Sequence, residues 1–373
     1  MDFDEYKAGE YAMTDGAKCL VPSHINHVWT WKDPQLNLLL SKAGYYLGVL
    51  NTMYKYLPNA DLFTHGSIFK EAVKSNEIEG TKTELEEVLG AENVNDPAFV
   101  QILNYADAAP TAFDLLKTER LSESLLLKVH AGIMGFKEKK SKYKTSQNWI
   151  GGSTKYDARF NPAPPHEVDT AMQDLIAFLL NDDLDVPDLV KIAIAHYQLE
   201  TIHPFDDGNG RIGRLLIPMY LIDKGILSHP LFVSRFFSDQ RRDYYDNLDR
   251  VRTKNDMNHW VKFFLVAIKT SAQNTIDVIN KVNALKVECE KKVKEIYGGK
   301  TVKAFKFLHL LFKNPVVNSK RIHAEMKIST ATASSLMVNF ENAGILNKMT
   351  GNKRNRTFIF RDYMNILTDV NAI

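Results

Sequence analysis

The segment that most constrains this 373-residue chain covers residues 203–214 and reads HPFDDGNGRIGR. Helical hydrophobic patterns flank it over 187–201 and 211–224, so it joins two predicted helices through a tight turn. Gly208 and Gly210 leave the backbone N–H groups of that turn free to approach phosphate oxygens closely. The N-terminus of the second helix also favours an anion. The spacing therefore predicts a phosphate site between two helices.

Two arginines strengthen this interpretation. Arg211 and Arg214 lie three residues apart, so they share one face of the first helical turn. The helix dipole disfavours cations at that end, and the pair therefore suggests an anionic partner such as phosphate. The alternative is an ordinary loop with solvated arginines, but such a loop does not require His, Asp, Asn and two Arg together. We interpret the segment as a site that moves part of a nucleoside triphosphate.

Composition sets limits on the class of protein. The chain has 47 basic and 45 acidic residues, and this balance gives no global reason to expect nucleic-acid binding. Its acidic N-terminus lacks an apolar run, and its longest apolar stretches are too short to span a bilayer. Cys19 and Cys289 are widely separated, which argues against a disulfide framework. We expect a cytoplasmic protein that is not inserted in a membrane.

Hydrophobic periodicity predicts a mainly α fold. Helical patterns cover 36–56, 61–79, 81–89, 100–117, 122–134, 167–180, 187–201, 211–224, 239–251, 258–269 and 271–296. Residues 142–165 differ, because apolar residues alternate there around Gly151 and Gly152. That pattern predicts a β-hairpin.

The tail, residues 301–373, has its own signature. Helical patterns at 302–312, 319–326 and 329–343 are followed by strand patterns at 345–349 and 357–360, which flank a basic turn. This order resembles a winged helix-turn-helix domain. DNA binding stays open, because the wing carries Lys353, Arg354 and Arg356. Residues 329–343 contain no Lys or Arg, so protein contact or target selection is favoured.

The central segment matches, position by position, the HxFx(D/E)GNGRxxR motif of the Fic family, and the chain resembles these enzymes. They typically transfer AMP from ATP to protein hydroxyls. The resemblance implies that His203 is the catalytic base and that Asp207 holds Mg²⁺ or Mn²⁺. Asp206 stands at the variable position of the motif, so a swap between the two aspartates stays open. Phe205 is expected to be a buried anchor for the loop.

The resemblance also implies a nucleotide site built from three parts of the chain. Its members in the central motif are Asp207, Gly208, Asn209, Gly210, Arg211, Ile212, Gly213 and Arg214. A β-hairpin flap that covers the nucleotide and aligns the target peptide is expected at Ile150, Gly151, Gly152 and Ser153. Tyr244 and Tyr245 resemble an aromatic pair near the adenine. A surface hairpin with structural glycines, and core packing of the tyrosines, are the alternatives.

An upstream segment, Ser75 to Gly80, matches the [S/T]xxxE[G/N] motif that restrains many Fic proteins. Glu79 is predicted at a helix end, where the dipole disfavours an anion, and Arg214 at a helix start, so each gains from the other. Paired with Glu79, Arg214 could not hold the terminal phosphate. A solvated glutamate is the alternative. The resemblance thus implies an N-terminal inhibitory helix with Ser75, Glu79 and Gly80 as its inhibitory residues.

These observations lead to one expected organisation and function. The predicted units are an N-terminal helical region with the inhibitory helix (1–115), a Fic catalytic core (116–270), a connecting helix (271–300) and a winged-helix-like domain (301–373). The expected activity is transfer of AMP from ATP to a Ser, Thr or Tyr hydroxyl of a target protein, or of the chain itself. Alternatives are a nucleotide-sensing DNA-binding regulator, transfer of another nucleotide, and removal of AMP assisted by Glu79. Fic relatives often dimerise, so a homodimer is also expected.

Overall fold

The computed structural model describes residues 1–56, 60–83, 85, 96–136, 140–298, 302–349 and 356–368. In chain order the helices are α1 (Pro34–Tyr56), α2 (Ala60–Ile78), α3 (Pro97–Leu115), α4 (Glu123–Ile133), α5 (Pro165–Leu180), α6 (Asp188–Ile202), α7 (Asn209–Asp223), α8 (Ser234–Asp239), α9 (Arg241–Lys254), α10 (Met257–Tyr297), α11 (Val302–Lys313), α12 (Ser319–Met326), α13 (Thr330–Asn342) and α14 (Arg361–Thr368). The strands are β1 (Gly9–Thr14), β2 (Ala17–Pro22), β3 (Val316–Asn318), β4 (Asn347–Lys348) and β5 (Thr357–Ile359). The predicted mainly α class is confirmed.

Helices α6 and α7 form the centre of the fold. Every residue of α6 from Leu189 to Ile202 is buried, and so is every residue of α7 from Asn209 to Leu221. A helix that is buried on all sides needs neighbours on all sides, and here α2, α3, α4, α5 and α10 pack around the pair. The turn between α6 and α7, which carries the central motif, is therefore held by several layers of helix.

One long helix replaces two predicted ones. Helical patterns at 258–269 and 271–296 were expected to be separate, but α10 runs through them as a single helix of 41 residues. The chain has no Gly or Pro between the two patterns to interrupt the helix. Helix α1 packs along α10 and stabilises it. Residues 271–297 thus form the C-terminal part of α10, which begins within the predicted core at Met257.

A β-hairpin precedes the first helix, although residues 1–115 were expected to be helical. Strands β1 and β2 pair antiparallel from Gly9 opposite Pro22 to Thr14 opposite Ala17. Asp15 and Gly16 form the turn, with φ of 49° and 78°. An Asp-Gly pair favours this left-handed two-residue turn, so a signal for the hairpin was present in the sequence.

The expected hairpin within 142–165 is much reduced. We call residues 150–160 the flap. A single antiparallel bridge closes it, in which the N–H of Ile150 donates to the oxygen of Phe160 (2.9 Å) and the N–H of Phe160 donates in return (3.1 Å). Gly151 and Gly152 follow at once with φ of 68° and 76°. Two left-handed residues in succession turn the chain away from the bridge, so the predicted hairpin is held by this one pair and has no longer ribbon.

The tail contains the three expected helices, α11, α12 and α13, and a sheet with the order β3-β5-β4. Only the ribbon of β4 and β5 was predicted; β3 adds a third antiparallel strand. Helices α11 and α14 pack on α2, so the tail touches the helix that carries Ser75.

Residues 350–355 of the basic turn, and most of the helix predicted over 81–89, lie outside the described residues. The winged-helix assignment and the boundaries of the units stay predictions.

Candidate active site

His203 stands at the C-terminal end of α6 in a left-handed conformation, with φ of 52° and ψ of 61°. Its N–H donates to the oxygen of Leu199 (2.9 Å) and closes the helix. The Nδ1 atom is buried and has no hydrogen-bond partner within the described residues. Desolvation, and then the cations Lys144 and Arg252, hold the pKa of His203 well below its usual value. The imidazole is therefore neutral at physiological pH, which leaves one ring nitrogen with the free lone pair that a general base needs.

The motif loop is braced from within by two buried side chains. Asn209 accepts from the N–H of Phe205 (2.9 Å) and donates to its oxygen (2.7 Å). The Phe205 ring is 2% exposed and stacks on His130, with 3.6 Å between ring centroids. His130 was not foreseen. Its Nε2 donates to the carbonyl of Asp207 (2.8 Å), so its Nδ1 must accept from the Ser141 hydroxyl (2.6 Å).

The start of α7 is shaped by glycines and occupied by a carboxylate. Gly208, with φ of 80°, precedes the helix. At Gly210 an added Cβ would overlap Oε1 of Glu79, so glycine leaves room for the carboxylate in this position. Glu79 therefore lies against the N-terminus of α7, at the kind of position that binds phosphate.

Arg214 is held by the predicted inhibitory segment. Its Nη2 donates to Oε1 of Glu79 (2.7 Å) and to the backbone oxygen of Ser75 (2.9 Å). Its Nε donates to the Ser75 hydroxyl (2.9 Å). Gly80 follows with φ of 102°, a left-handed conformation that lets the chain leave the end of α2. The structure thus brings Ser75, Glu79 and Arg214 together as the sequence predicted.

Arg211 differs from Arg214, because most of its donors are unused. It is 3% exposed, and its Nη2 donates to Oδ2 of Asp207 (2.8 Å). Its Nε and Nη1 are buried without a partner in the described parts of the chain. Buried guanidinium donors are costly to leave unpaired, so the site fits an anion that would accept from them.

Asp207 is the expected metal ligand. Its Oδ1 accepts from the N–H of Gly208 (2.6 Å), and its Oδ2 pairs with Arg211. Its side chain is 62% exposed, so the carboxylate faces open space. No group of three or more His, Cys, Asp or Glu side chains within the described residues forms a metal site. A single carboxylate fits a Mg²⁺ ion that also binds nucleotide phosphates and water. Asp206 is exposed too, and the choice between the two stays a prediction.

The two tyrosines lie in different surroundings. Tyr244 is 1% exposed, its ring stacks on Phe237 at 4.5 Å, and its hydroxyl bonds Nε2 of His196 (2.9 Å). It belongs to the core, so the expectation of an open face for adenine does not hold for its ring. Tyr245 is partly buried and donates to the oxygen of Ile78 (3.3 Å), the last residue of α2. Tyr245 therefore contacts the inhibitory segment.

Two further buried carboxylates surround Arg214, and the sequence patterns did not reveal them. Glu71 on α2 accepts from the N–H of Ser234 (3.2 Å) and from its hydroxyl. Glu200 on α6 has a buried Oε1 without a partner among the described residues. Burial raises the pKa of each to about 7, although hydrogen bonds from Ser234 to Glu71 and the nearby charge of Arg214 oppose the shift. Arg214 thus lies in a cluster of three carboxylates.

Known families and proteins match the segments of this chain that carry Glu79 and the central motif. A model described as Fic/DOC family matches residues 120–221, and one described as Fic/DOC family N-terminal matches 37–114. A probable protein adenylyltransferase of Aquifex aeolicus is 33% identical over 167 residues, which are 43% of this chain and 49% of that protein. A protein adenylyltransferase of Caenorhabditis elegans is 28% identical over 43% of this chain and 32% of its own length. The chain thus spans half or less of these relatives.

Solved structures share the fold. A Fic family protein from Desulfovibrio desulfuricans G20 has a TM-score of 0.59 at 20% identity, covering 90% of this chain and 98% of its own. Fic-1 from Caenorhabditis elegans has a TM-score of 0.51 at 20% identity, covering 67% and 75%. The position of the motif between α6 and α7, the pairing of Glu79 with Arg214 and the family matches agree with one another. The chain is similar to the Fic/DOC family over residues 120–221 and to the N-terminal region of that family over residues 37–114.

Proposed function

We propose that this protein transfers AMP from ATP to a Ser, Thr or Tyr hydroxyl of a target protein, or of itself, and releases pyrophosphate. The observation that carries the proposal is the arrangement of His203, the N-terminus of α7 and the unpaired donors of Arg211 around one motif loop. Relatives named as protein adenylyltransferases support the reaction class.

In the proposed reaction His203 takes the proton of the attacking hydroxyl. The target oxygen forms a bond to the α-phosphorus of ATP, and the bond from that phosphorus to the bridging oxygen of pyrophosphate breaks. The backbone of Gly208, Asn209 and Gly210 would hold the α-phosphate, and Arg211 would bind an outer phosphate. A Mg²⁺ or Mn²⁺ ion held by Asp207 would offset charge on the leaving group. The residues thus act by positioning and electrostatics.

The resting state is a second part of the proposal. Glu79 occupies the space above Gly210, and its carboxylate takes the Arg214 donor that a terminal phosphate would need. Arg214 and Ser75 are buried, so the arginine of the ion pair is shielded from solvent, whereas the Glu79 side chain is 43% exposed. We infer that Glu79 restrains transfer until its carboxylate moves.

The expected partner is a protein whose exposed hydroxyl docks beside the flap. Ile150, Gly151, Gly152 and Ser153 would align the target backbone, although one bridge leaves only a short strand edge. A role for the tail in selecting that partner is supported by the packing of α11 and α14 on α2. Cys19 and Cys289 are both free, which agrees with a cytoplasmic site of action. Homodimer formation belongs to the proposal as well.

The test compares three proteins incubated with α-labelled ATP, Mg²⁺ and lysate: the unchanged chain, Glu79→Gly, and Glu79→Gly with His203→Ala. We expect strong labelling only with Glu79→Gly, and an AMP adduct on a hydroxyl by mass spectrometry. Equal labelling by the first two would overturn the restraint, and a different adduct mass would overturn the choice of nucleotide. Loss of label from a premodified target with the unchanged chain would favour AMP removal instead.

A further inference from the structure

The backbone of His203 adopts a conformation that needs external support. Its φ and ψ lie in the left-handed region, where a residue with a Cβ is disfavoured. Strain of this kind persists only where the surroundings hold it. Bonds within the motif loop, such as those of Asn209 to Phe205, do not reach the carbonyl of His203.

Asn148, just before the flap, supplies one support. Its Nδ2 donates to the oxygens of His203 (3.2 Å) and Phe205 (2.8 Å). Its Oδ1 accepts from Nζ of Lys144 (2.7 Å), which fixes the orientation of the amide. One side chain therefore bridges the two carbonyls on either side of Pro204.

Lys144 extends this support along the same loop. Its backbone N–H donates to the oxygen of Pro204 (2.8 Å), and its Nζ lies 3.4 Å from the oxygen of Ile202. Lys144 is 3% exposed, so these contacts are shielded from water. Together, Lys144 and Asn148 contact four consecutive carbonyls, from residue 202 to residue 205.

Arg252 on α9 supports the last turn of α6, just before His203. Its Nη2 donates to the oxygen of Glu200 (3.0 Å), and its Nε donates to the Thr201 hydroxyl (3.2 Å). Its guanidinium lies 3.9 Å from the ring centroid of Phe160, the residue that closes the flap bridge. Arg252 thus links the end of α6 to the returning arm of the flap.

We infer that Asn148 and Arg252 are positioning residues that hold His203 in its left-handed conformation and couple it to the base of the flap. Both residues affect the reaction by fixing the position of His203. The consequence for the reaction, which rests on the proposed function, is that a target aligned by the flap is also aligned with the base. Displacement of His203 would then slow the chemical step and leave ATP binding intact, since the phosphate contacts lie on α7.

The test uses Asn148→Asp, which keeps the size of the side chain and its contact with Lys144 but removes both N–H donations. Asn181→Asp is the matched control, because Asn181 also donates an amide hydrogen bond, to Asn26 (3.1 Å) at the end of α5. In the Glu79→Gly background we expect kcat to fall on the order of tenfold or more for Asn148→Asp, with KM for ATP changed less than about twofold. Arg252→Lys should likewise lower kcat and change KM for ATP little. An unchanged kcat in Asn148→Asp, or a matching loss of ATP affinity, would refute the inference.

A second measurement does not depend on activity. The ¹³Cα and ¹³Cβ chemical shifts of His203 report its φ and ψ in protein with labelled histidine. We expect them to leave left-handed values in Asn148→Asp and to stay unchanged in Asn181→Asp. If the Glu79→Gly protein transfers no AMP, the proposed function fails, but these shifts still decide whether Asn148 holds His203. Identical shifts in all three proteins would refute the positioning role.

Discussion

Arg214 and Glu79 form an asymmetric ion pair: the arginine side chain is 1% exposed and the glutamate side chain 43%, with 2.7 Å between Nη2 and Oε1. Burial disfavours the charged guanidinium, yet Glu79 and the other nearby carboxylates outweigh this and raise the pKa of Arg214. The glutamate can move into solvent, whereas the arginine stays bound to Ser75. Restraint by a half-exposed partner can therefore be released without unfolding the core.

Replacing Glu79 should activate the protein at small cost in stability. We expect Glu79→Ala to raise AMP incorporation at least tenfold, and to lower the free energy of unfolding by no more than about 1 kcal/mol, because solvent screens a half-exposed pair. Labelled incorporation and urea unfolding measure the two effects. Glu77→Ala is the control, since Glu77 lies in the last turn of α2, just before Glu79, but pairs with Lys74. Activation by both variants would point to loosening of α2 instead.

The Ser75 hydroxyl should contribute to the same restraint. Ser75 is fully buried and accepts a hydrogen bond from the charged Arg214, so Ser75→Ala should lower stability by about 1–3 kcal/mol. Arg214 would then be held less firmly, and we expect AMP incorporation between that of the unchanged protein and that of Glu79→Ala. Ser67→Ala, on the same helix, is the control. No change in incorporation with Ser75→Ala would show that the hydroxyl serves stability alone.

Arg211 should matter for nucleotide binding and little for the fold. Its Nε and Nη1 are buried and unpaired among the described residues, so Arg211→Met should leave the stability of the free protein unchanged or raise it. Stabilisation by ATP and Mg²⁺ should be lost. At a ligand concentration near 100 times Kd that stabilisation is about 2.7 kcal/mol. Thermal unfolding with and without ATP, in the Glu79→Ala background, measures it. Arg242→Met, at a side chain 92% exposed, should retain the ATP effect.

Glu200 should make stability depend on pH. Burial raises its folded-state pKa to about 7, above the unfolded value of 4.5. A raised pKa means that folding favours the protonated form, so this contribution is present below pH 4.5 and is lost as pH rises through 7. Relative to the unchanged protein, Glu200→Gln should gain stability between pH 4.5 and 7, on the order of 3 kcal/mol, and then level off. Urea unfolding at several pH values tests this, with the exposed Glu295→Gln as control. A difference independent of pH would contradict it.

The order of helices and the central motif could be predicted from the chain alone, because both depend on local spacing. Hydrophobic periodicity placed most helices within a few residues of their observed ends, as for the helix predicted at 319–326 and observed as Ser319–Met326. Two short helices, α8 and α14, were not predicted. The pairing of Glu79 with Arg214 followed from the Fic resemblance and two helix-end charges. The first hairpin was missed although its Asp15-Gly16 turn carried a local signal. The continuity of α10 was not predicted, although no Gly or Pro lies between residues 258 and 296 to end a helix.

Only the tertiary structure decided which groups share a buried environment. Nothing in the spacing places Glu71 in one cluster with Glu200 and Arg214, because α2 is distant in sequence from α6 and α7. The same is true of Asn148 and Arg252, which meet the end of α6 through packing of the flap and α9. The sequence by itself determined which residues can do the chemistry, since type and local spacing set that. Packing decided which of them are desolvated, paired or held in strain, since those properties depend on contacts between distant segments.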